Sequence, residues 1–346
     1  MKEAERYREA GVDLESADRA KSRLGELVRG TFSKKVAGDF GDFGSAFSLK
    51  GYGGKEKYLV SSVDGVGTKL KIAFMSGRHD TVGHDLVNHL VNDILCLGAK
   101  PVFFMDYIGL GKIDEDVVFD IVKGIAEGCK ENGCALLGGE TAEMPGFYTE
   151  GEYDIAGFLA GIADKDILPG KSALKPGDLI IGFSSNGLHT NGYTLARKAF
   201  FDIGKMELGD IIPETGTRLG DELLKIHFSY FDTIYPLMKK KLVKAAAHIT
   251  GGGFEGNTSR ILSPKVDAVI NTYHWFPPGI FKAIMRLGKV GVEEMYRVFN
   301  MGIGFVAIVG EKDRPRLRKY LETSGCEVIP IGVLRKGTGK VILQYE

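Results

Sequence analysis

The stretch Leu168-Pro-Gly-Lys-Ser-Ala-Leu-Lys-Pro-Gly177 carries two Pro-Gly pairs near the middle of the chain. Proline interrupts helices and central strands, and Pro-Gly pairs are typical of turns and linkers. On both sides, apolar residues recur with strand and helix periods, but the two do not alternate strictly. We therefore predict an α+β fold: an N-terminal domain over residues 1–168 and a mixed α/β domain over residues 169–346.

Composition narrows the class of protein further. The chain has 346 residues, with 45 Lys and Arg against 45 Asp and Glu, so its formal charge is zero. No global positive field favours nucleic acid or an anionic membrane. The four cysteines form no C-x-x-C pair, and the N-terminus is charged from Lys2. We expect a cytoplasmic protein with reduced thiols that binds neither nucleic acid nor membrane.

A first candidate site is Asp64-Gly65-Val66-Gly67-Thr68-Lys69, directly after a predicted strand at Tyr58–Val63. The carboxylate can hold Mg²⁺, and the two glycines let backbone N–H groups approach an anion. Thr68 adds a hydroxyl and Lys69 a positive charge. These groups are typical of a magnesium–phosphate site, although a hairpin turn with Asp-Gly at its tip is the alternative.

A second candidate lies on a predicted helix over residues 81–97. His89 is four residues from both Asp85 and Asp93, which gives an apolar helix one polar stripe. Such a stripe faces either solvent or a cleft, and both interpretations stay open.

A third candidate follows the predicted strand Cys134–Leu137. It is the run Gly138–Gly146, GGETAEMPG, in which Glu140 and Glu143 lie beside a Gly-Gly pair. Carboxylates at a strand end suit a second metal or substrate contact. A plain polar loop is the alternative.

The C-terminal half contributes two further glycine-bearing segments. His189 and Asn191 lie in the polar run Ser184–Gly192, where a helix-capping role is the alternative to substrate contact. Thr250–Gly253 follows a predicted strand and precedes a helix, so its backbone N–H groups suit a phosphate monoester. One phosphate-type site per half predicts an enzyme that uses ATP and a phosphorylated substrate in an interdomain cleft.

These segments occur in an order that resembles the phosphoribosylformylglycinamidine cyclo-ligase family, also called aminoimidazole ribonucleotide synthetase. The matching segments are Ala10–Asp13, Asp64–Lys69, Val91–Asp93 with its D-x4-G-A-x-P continuation to Pro101, Gly138–Gly146, His189–Tyr193, His248–Gly253 and Phe299–Gly304. The chain departs from the family at Ile226-His227-Phe228-Ser229-Tyr230, where Pro-Thr-Arg-Ile-Tyr is expected, and in the glycine-rich run from Gly38.

The resemblance implies a homodimer in which the N-terminal sheets of two chains form a barrel. It also implies ATP-dependent ring closure of formylglycinamidine ribonucleotide to aminoimidazole ribonucleotide, with release of ADP and phosphate, in purine biosynthesis. The alternatives are a small-molecule kinase of the same superfamily, such as thiamine-monophosphate kinase, or a non-catalytic nucleotide-binding regulator.

The resemblance also implies residue roles. Magnesium ligands are expected at Asp64, Asp93 and Glu140. The ATP phosphates are expected at Asp64, Gly65, Gly67, Thr68 and Lys69. Substrate contacts are expected at Asn191, Thr250, Gly251, Gly252 and Gly253. The expected catalytic residues are Lys69, Asp93 and His189.

Overall fold

The computed structural model describes residues 5–10, 29, 33–37, 45–51, 56–321 and 328–345. Most of the glycine-rich run from Gly38 and most of Ala10–Asp13 lie outside these ranges, as does Cys326.

The N-terminal half is built on one six-stranded sheet. Its strands are β1 (Val36–Ala37), β2 (Ser45–Ser48), β3 (Lys57–Gly65), β4 (Lys100–Leu110), β5 (Ala135–Glu143) and β6 (Tyr153–Asp164). They are ordered β1-β2-β3-β6-β4-β5, and all neighbours are antiparallel except the parallel pair β4–β5. Strand β5 is longer than the predicted Cys134–Leu137 strand, so Gly138–Glu143 belongs to an edge strand rather than to a loop.

Three helices follow β3 or connect the strands: α2 (Leu70–Ser76), α3 (Asp80–Leu95) and α4 (Glu115–Glu131). Helices α3 and α4 cross where each has a glycine, Gly83 in α3 and Gly124 in α4. A Cβ added to Gly83 would lie 2.1 Å from the Ile121 carbonyl oxygen, and one on Gly124 would lie 1.9 Å from that of Asp80. The two glycines therefore allow α3 to be covered by α4 while it packs on the sheet.

The C-terminal half has its own six-stranded sheet. Its strands are β7 (Leu179–Ser184), β8 (Val243–His248), β9 (Val266–Asn271), β10 (Ile303–Val309), β11 (Val328–Lys336) and β12 (Val341–Gln344). They are ordered β12-β9-β11-β7-β10-β8, and only β9–β12 is parallel. Every residue of β10 is buried, as expected of a strand that is covered on both faces.

Most remaining helices belong to this half. They are α5 (Tyr193–Arg197), α6 (Leu219–Leu223), α7 (Phe231–Lys239), α8 (Gly253–Thr258), α9 (Gly279–Gly288), α10 (Val292–Val298) and α11 (Arg314–Leu321). The short N-terminal helix α1 (Glu5–Glu9) also joins it, since Tyr7 is buried in the same apolar cluster as Tyr193. Leu95 and Cys96 at the end of α3 pack against β7 and α7, so the two halves share a core.

The fold prediction is confirmed at the level of two domains that mix helices and strands. Within the described ranges neither sheet closes into a barrel. No helix in the described part of the chain is both long and apolar enough to cross a membrane.

Candidate functional site at the domain interface

The polar stripe of α3 lies between the two halves of the chain. Its buried members are Asp85, Asn88, His89, Asn92 and Asp93. The opposite side of the contact is formed mainly by Thr190, residues 225–230 and His248. The solvent-face alternative for this stripe is therefore wrong, and the stripe faces the interdomain contact instead.

Asp64 and Asp93 meet at one imidazole. The His89 Nε2 atom lies 3.1 Å from Asp64 Oδ2 and 3.7 Å from Asp93 Oδ2. Burial by itself lowers the pKa of His89, but the charges of Asp64 and Asp93 outweigh it and raise the pKa to about 9. His89 is therefore protonated at neutral pH and balances two carboxylates at the same point.

The two carboxylates differ in how open they are. The Asp64 side chain is 51% exposed, and its Oδ1 accepts a 2.7 Å hydrogen bond from the Gly65 N–H. Burial raises its pKa, but the charge and hydrogen bond of His89 outweigh burial, and the pKa is lowered overall. Asp93 accepts from His248 Nδ1 at 2.8 Å and from Ser62 Oγ at 3.2 Å. Carboxylate oxygens are the donors that Mg²⁺ prefers, so the chemistry of this pair suits the ion, and Asp64 is the more accessible of the two.

Within one chain, Glu140 does not lie near Asp64 and Asp93. Across the sheet, Glu140 is in register with Tyr107, Tyr107 with Ala156, and Ala156 with Gly65. Three strand spacings separate Glu140 from Gly65 by about 14 Å. Residues in register point to the same face and sequence neighbours to opposite faces, so Glu140 points away from the face of Asp64. Its role as a magnesium ligand stays a prediction.

Lys69 has a different partner from the one expected. Its side chain is fully buried, and its Nζ lies 2.7 Å from Asp85 Oδ2 and donates to the Lys225 carbonyl oxygen at 2.7 Å. Burial lowers the pKa of Lys69 and raises that of Asp85. A phosphate contact by Lys69 would require this ion pair to break, whereas Thr68 is exposed and its hydroxyl lies 2.9 Å from that of Thr194.

The predicted substrate residues of the C-terminal half do come together. A Cβ on Gly251 would lie 3.2 Å from Asn191 Oδ1, which places Asn191 beside the Thr250–Gly253 segment. Gly252 precedes α8 with a φ of −88°, a conformation that does not require glycine. Gly253 has a φ of +56°, in the left-handed region that favours glycine.

The sequence did not predict a role for four residues of this interface. Thr190, His227 and His248 were not candidates, and His89 was noted only for its helical spacing from Asp85 and Asp93. His89 Nδ1 lies 2.7 Å from Thr190 Oγ1, which lies 3.2 Å from His227 Nδ1. His227 Nε2 lies 3.0 Å from His248 Nε2. Burial lowers the pKa of His227 and of His248, so both imidazoles are neutral at pH 7.

Comparison with known proteins shows which family the chain belongs to. Residues 45–163 match the model of the AIR synthase related protein, N-terminal domain, and residues 175–344 match that of its C-terminal domain. The phosphoribosylformylglycinamidine cyclo-ligase of Thermoanaerobacter pseudethanolicus is 48% identical over 97% of this chain and 99% of its own length. The chain belongs to the phosphoribosylformylglycinamidine cyclo-ligase family. The family resemblance read from the motifs is thereby confirmed.

Solved structures share the cyclo-ligase fold at low sequence identity. Thiamine-monophosphate kinase from Stenotrophomonas maltophilia has a TM-score of 0.63 at 16% identity, over 94% of this chain and 95% of that chain. T. maritima PurL, complexed with AMPPCP, has a TM-score of 0.56 at 14% identity, over 91% of this chain and 44% of that chain. At these identities the likeness concerns the fold alone.

Proposed function

We propose that the chain closes the imidazole ring of aminoimidazole ribonucleotide, using ATP and formylglycinamidine ribonucleotide and releasing ADP and phosphate, as a step of purine biosynthesis. One observation carries the proposal in this member of the cyclo-ligase family. Asp64 and Asp93 of the N-terminal half both face His89 of α3, and Asp93 also accepts from His248 of the C-terminal half, which leads directly into the Thr250–Gly253 segment.

The chemistry explains the use of ATP. A formamide carbon is a poor electrophile, and its oxygen is a poor leaving group. Transfer of the γ-phosphoryl group to that oxygen gives an imidate phosphate; a substrate nitrogen then attacks the carbon, loses its proton, and the C–O bond breaks to release phosphate. The protein's task is to position the two substrates and to neutralise charge.

Each half has one part of this task. Asp64 and Asp93 would hold Mg²⁺, which supplies charge neutralisation for the triphosphate when bound, with Gly65, Gly67 and Thr68 beside the phosphates. Asn191 and Thr250–Gly253 would bind the substrate's ribose phosphate. His189 is 2% exposed, so a direct substrate contact would require the segment 184–192 to move.

We also propose that two chains pair through the open face of the first sheet. On the face opposite α3, apolar side chains are exposed at Leu59, Val63, Met105, Tyr107 and Phe158. Val63, Phe158 and Met105 are in register across three adjacent strands, so they form one continuous patch. A second copy that covers it would remove this apolar area from water and complete a barrel.

Product analysis tests the proposed function. The purified chain is mixed with Mg²⁺, ATP and formylglycinamidine ribonucleotide, and ADP, phosphate and the nucleotide product are quantified. Ring closure predicts equal amounts of all three products. A kinase would leave the phosphate on its product, and a nucleotide-binding regulator would form no substrate-dependent ADP.

A further inference from the structure

Two cysteines lie at opposite ends of the turn between α4 and β5. Cys129 is in the last turn of α4, and Cys134 directly precedes β5. Both thiols are free. Their C-x4-C spacing matches no common redox or metal motif, so no role follows from the sequence alone. The geometry of the turn decides what the pair can do.

The turn closes α4 in the arrangement known as a Schellman motif. The Cys134 N–H donates to the Cys129 carbonyl oxygen at 3.0 Å, and the Gly133 N–H donates to that of Lys130 at 3.2 Å. Gly133 has a φ of +65°, the left-handed conformation that this closure needs. The two residues joined by the outer hydrogen bond of such a motif frequently bring apolar side chains into contact. Here both of those residues are cysteine.

Both cysteine side chains lie on the helix-covered side of the first sheet. Cys129 is buried in the apolar cluster of the N-terminal half, and half-buried Cys134 packs against the same cluster. Leu136, two residues further on and therefore on the same side of the strand, packs there too. Cys134 thus points away from the open face through which we propose that two chains pair.

The two thiols interact directly and differ in reactivity. Their mutual hydrogen bond is the main cause that raises the pKa of Cys129 and lowers that of Cys134. Burial raises the pKa of Cys129 further. Because the thiolate is the nucleophile, the more open Cys134 is the thiol that reacts first with a reagent from solvent. Cys129 is then the neighbour that can attack next.

We propose that Cys129 and Cys134 form a reversible disulfide when the chain meets a low-molecular-weight disulfide such as glutathione disulfide. The Cys134 thiolate attacks one sulfur of the reagent, which forms a mixed disulfide and releases one glutathione thiolate. Cys129 then loses its proton, and its sulfur attacks Cys134 Sγ, so that the second glutathione leaves. In all, the two cysteines lose two electrons and two protons, and the reagent takes them up as two molecules of glutathione.

The backbone already has the form that the disulfide needs. A disulfide joins Cα atoms about 4.4–6.8 Å apart, and the outer hydrogen bond of the turn holds the two cysteine backbones together. The same turn is part of the domain interface. Asn132 donates to Asn88 Oδ1 at 2.7 Å and accepts from Ser229 Oγ at 2.6 Å. The disulfide would therefore fix a turn that contacts both α3 and the C-terminal half.

Peptide mass spectrometry tests the pair in the full chain. The folded chain is equilibrated at rising ratios of glutathione disulfide to glutathione, quenched with acid, unfolded, alkylated at its free thiols and digested with trypsin. Trypsin cuts after Lys130, so the disulfide would join peptide 124–130 to peptide 131–165. We expect these linked peptides, and their separation by dithiothreitol. The folded chain should be half oxidised at a ratio at least ~10-fold lower than the chain unfolded in urea, because the turn holds the thiols together.

Three thiols serve as controls for the order of attack. In folded Cys129→Ser, Cys134 should keep one glutathione as a mixed disulfide, since no second thiol displaces it. In folded Cys134→Ser, the buried Cys129 should stay unmodified. Cys96 is also buried, and its thiol donates to the Asn92 carbonyl oxygen at 3.4 Å, so it should take up no glutathione in the folded chain.

Two results would overturn the proposal. One is the absence of linked peptides from the folded chain in an excess of glutathione disulfide. The other is half oxidation of the folded and unfolded chains at the same ratio. Either result would leave Cys129 and Cys134 as the apolar contact that commonly accompanies this turn. Glutathione on Cys129 in folded Cys134→Ser would overturn the assigned order of attack.

Discussion

Replacing Lys69 by Met separates a structural role from a phosphate-binding role. The substitution keeps the length of the side chain but removes the ammonium that lies 2.7 Å from Asp85 Oδ2. Both side chains are fully buried, so the Asp85 carboxyl would be left in the interior without its partner, either charged or made to take up a proton. Breaking a buried pair from one side costs about 3–5 kcal/mol, and the cost should appear in the free energy of unfolding measured in urea.

Two further variants make this test specific. Lys69→Met/Asp85→Asn removes both charges and should recover much of the loss, because no unpaired charge is left buried. Lys71→Met, two residues further along in α2, removes the half-exposed partner of Glu152 and should cost under about 1 kcal/mol. A Lys69→Met chain as stable as the unchanged one would refute the argument from burial, and would return Lys69 to the phosphates.

Three other variants address the remaining parts of the site. Asp64→Asn should reduce turnover by orders of magnitude, because it removes a charge proposed to hold Mg²⁺. The melting temperature should change little, because the Asp64 carboxylate is half exposed. Near-normal turnover would show that Asp64 is not a magnesium ligand. Gly253→Ala should destabilise the chain by about 2–5 kcal/mol, since the φ is +56° and the new Cβ would lie 2.2 Å from the Tyr296 carbonyl oxygen. Gly256→Ala, in the same helix with nothing within 4 Å of its Cβ, is the control, and equal unfolding midpoints would contradict the reasoning. Light scattering should give about twice 37.6 kDa, and Val63→Glu on the open sheet face should give the monomer mass; a monomeric unchanged chain would exclude the dimer.

The sequence predicted the elements well where local pattern decides them. The predicted helix over 81–97 is α3, Asp80–Leu95, because its apolar residues recur at helical spacing. The burial of its polar stripe was not predictable, since the residues of the C-terminal half that cover it, Thr190, His227 and His248, lie at least 101 residues away along the chain from their partners. Local periodicity shows that a stripe exists but not what covers it.

Only part of the candidate site could be predicted, again because the motifs do not show which distant residues the fold brings together. Asp64 and Asp93 are close in the structure, as the motifs suggested, because strand β3 and helix α3 are neighbours in the fold. The position of Glu140 depends on strand order and on alternation of side chains, and neither can be read from its motif. The Asp85 partner of Lys69 depends in turn on how α2 meets α3.

The most direct test of ring closure follows one oxygen atom. Formylglycinamidine ribonucleotide is prepared with ¹⁸O in its formyl group and converted by the purified chain with unlabelled ATP and Mg²⁺. If the γ-phosphoryl group is transferred to the formyl oxygen, each released phosphate carries one ¹⁸O atom by mass spectrometry, and the aminoimidazole ribonucleotide carries none. Unlabelled phosphate alongside the same product would contradict the proposed chemistry.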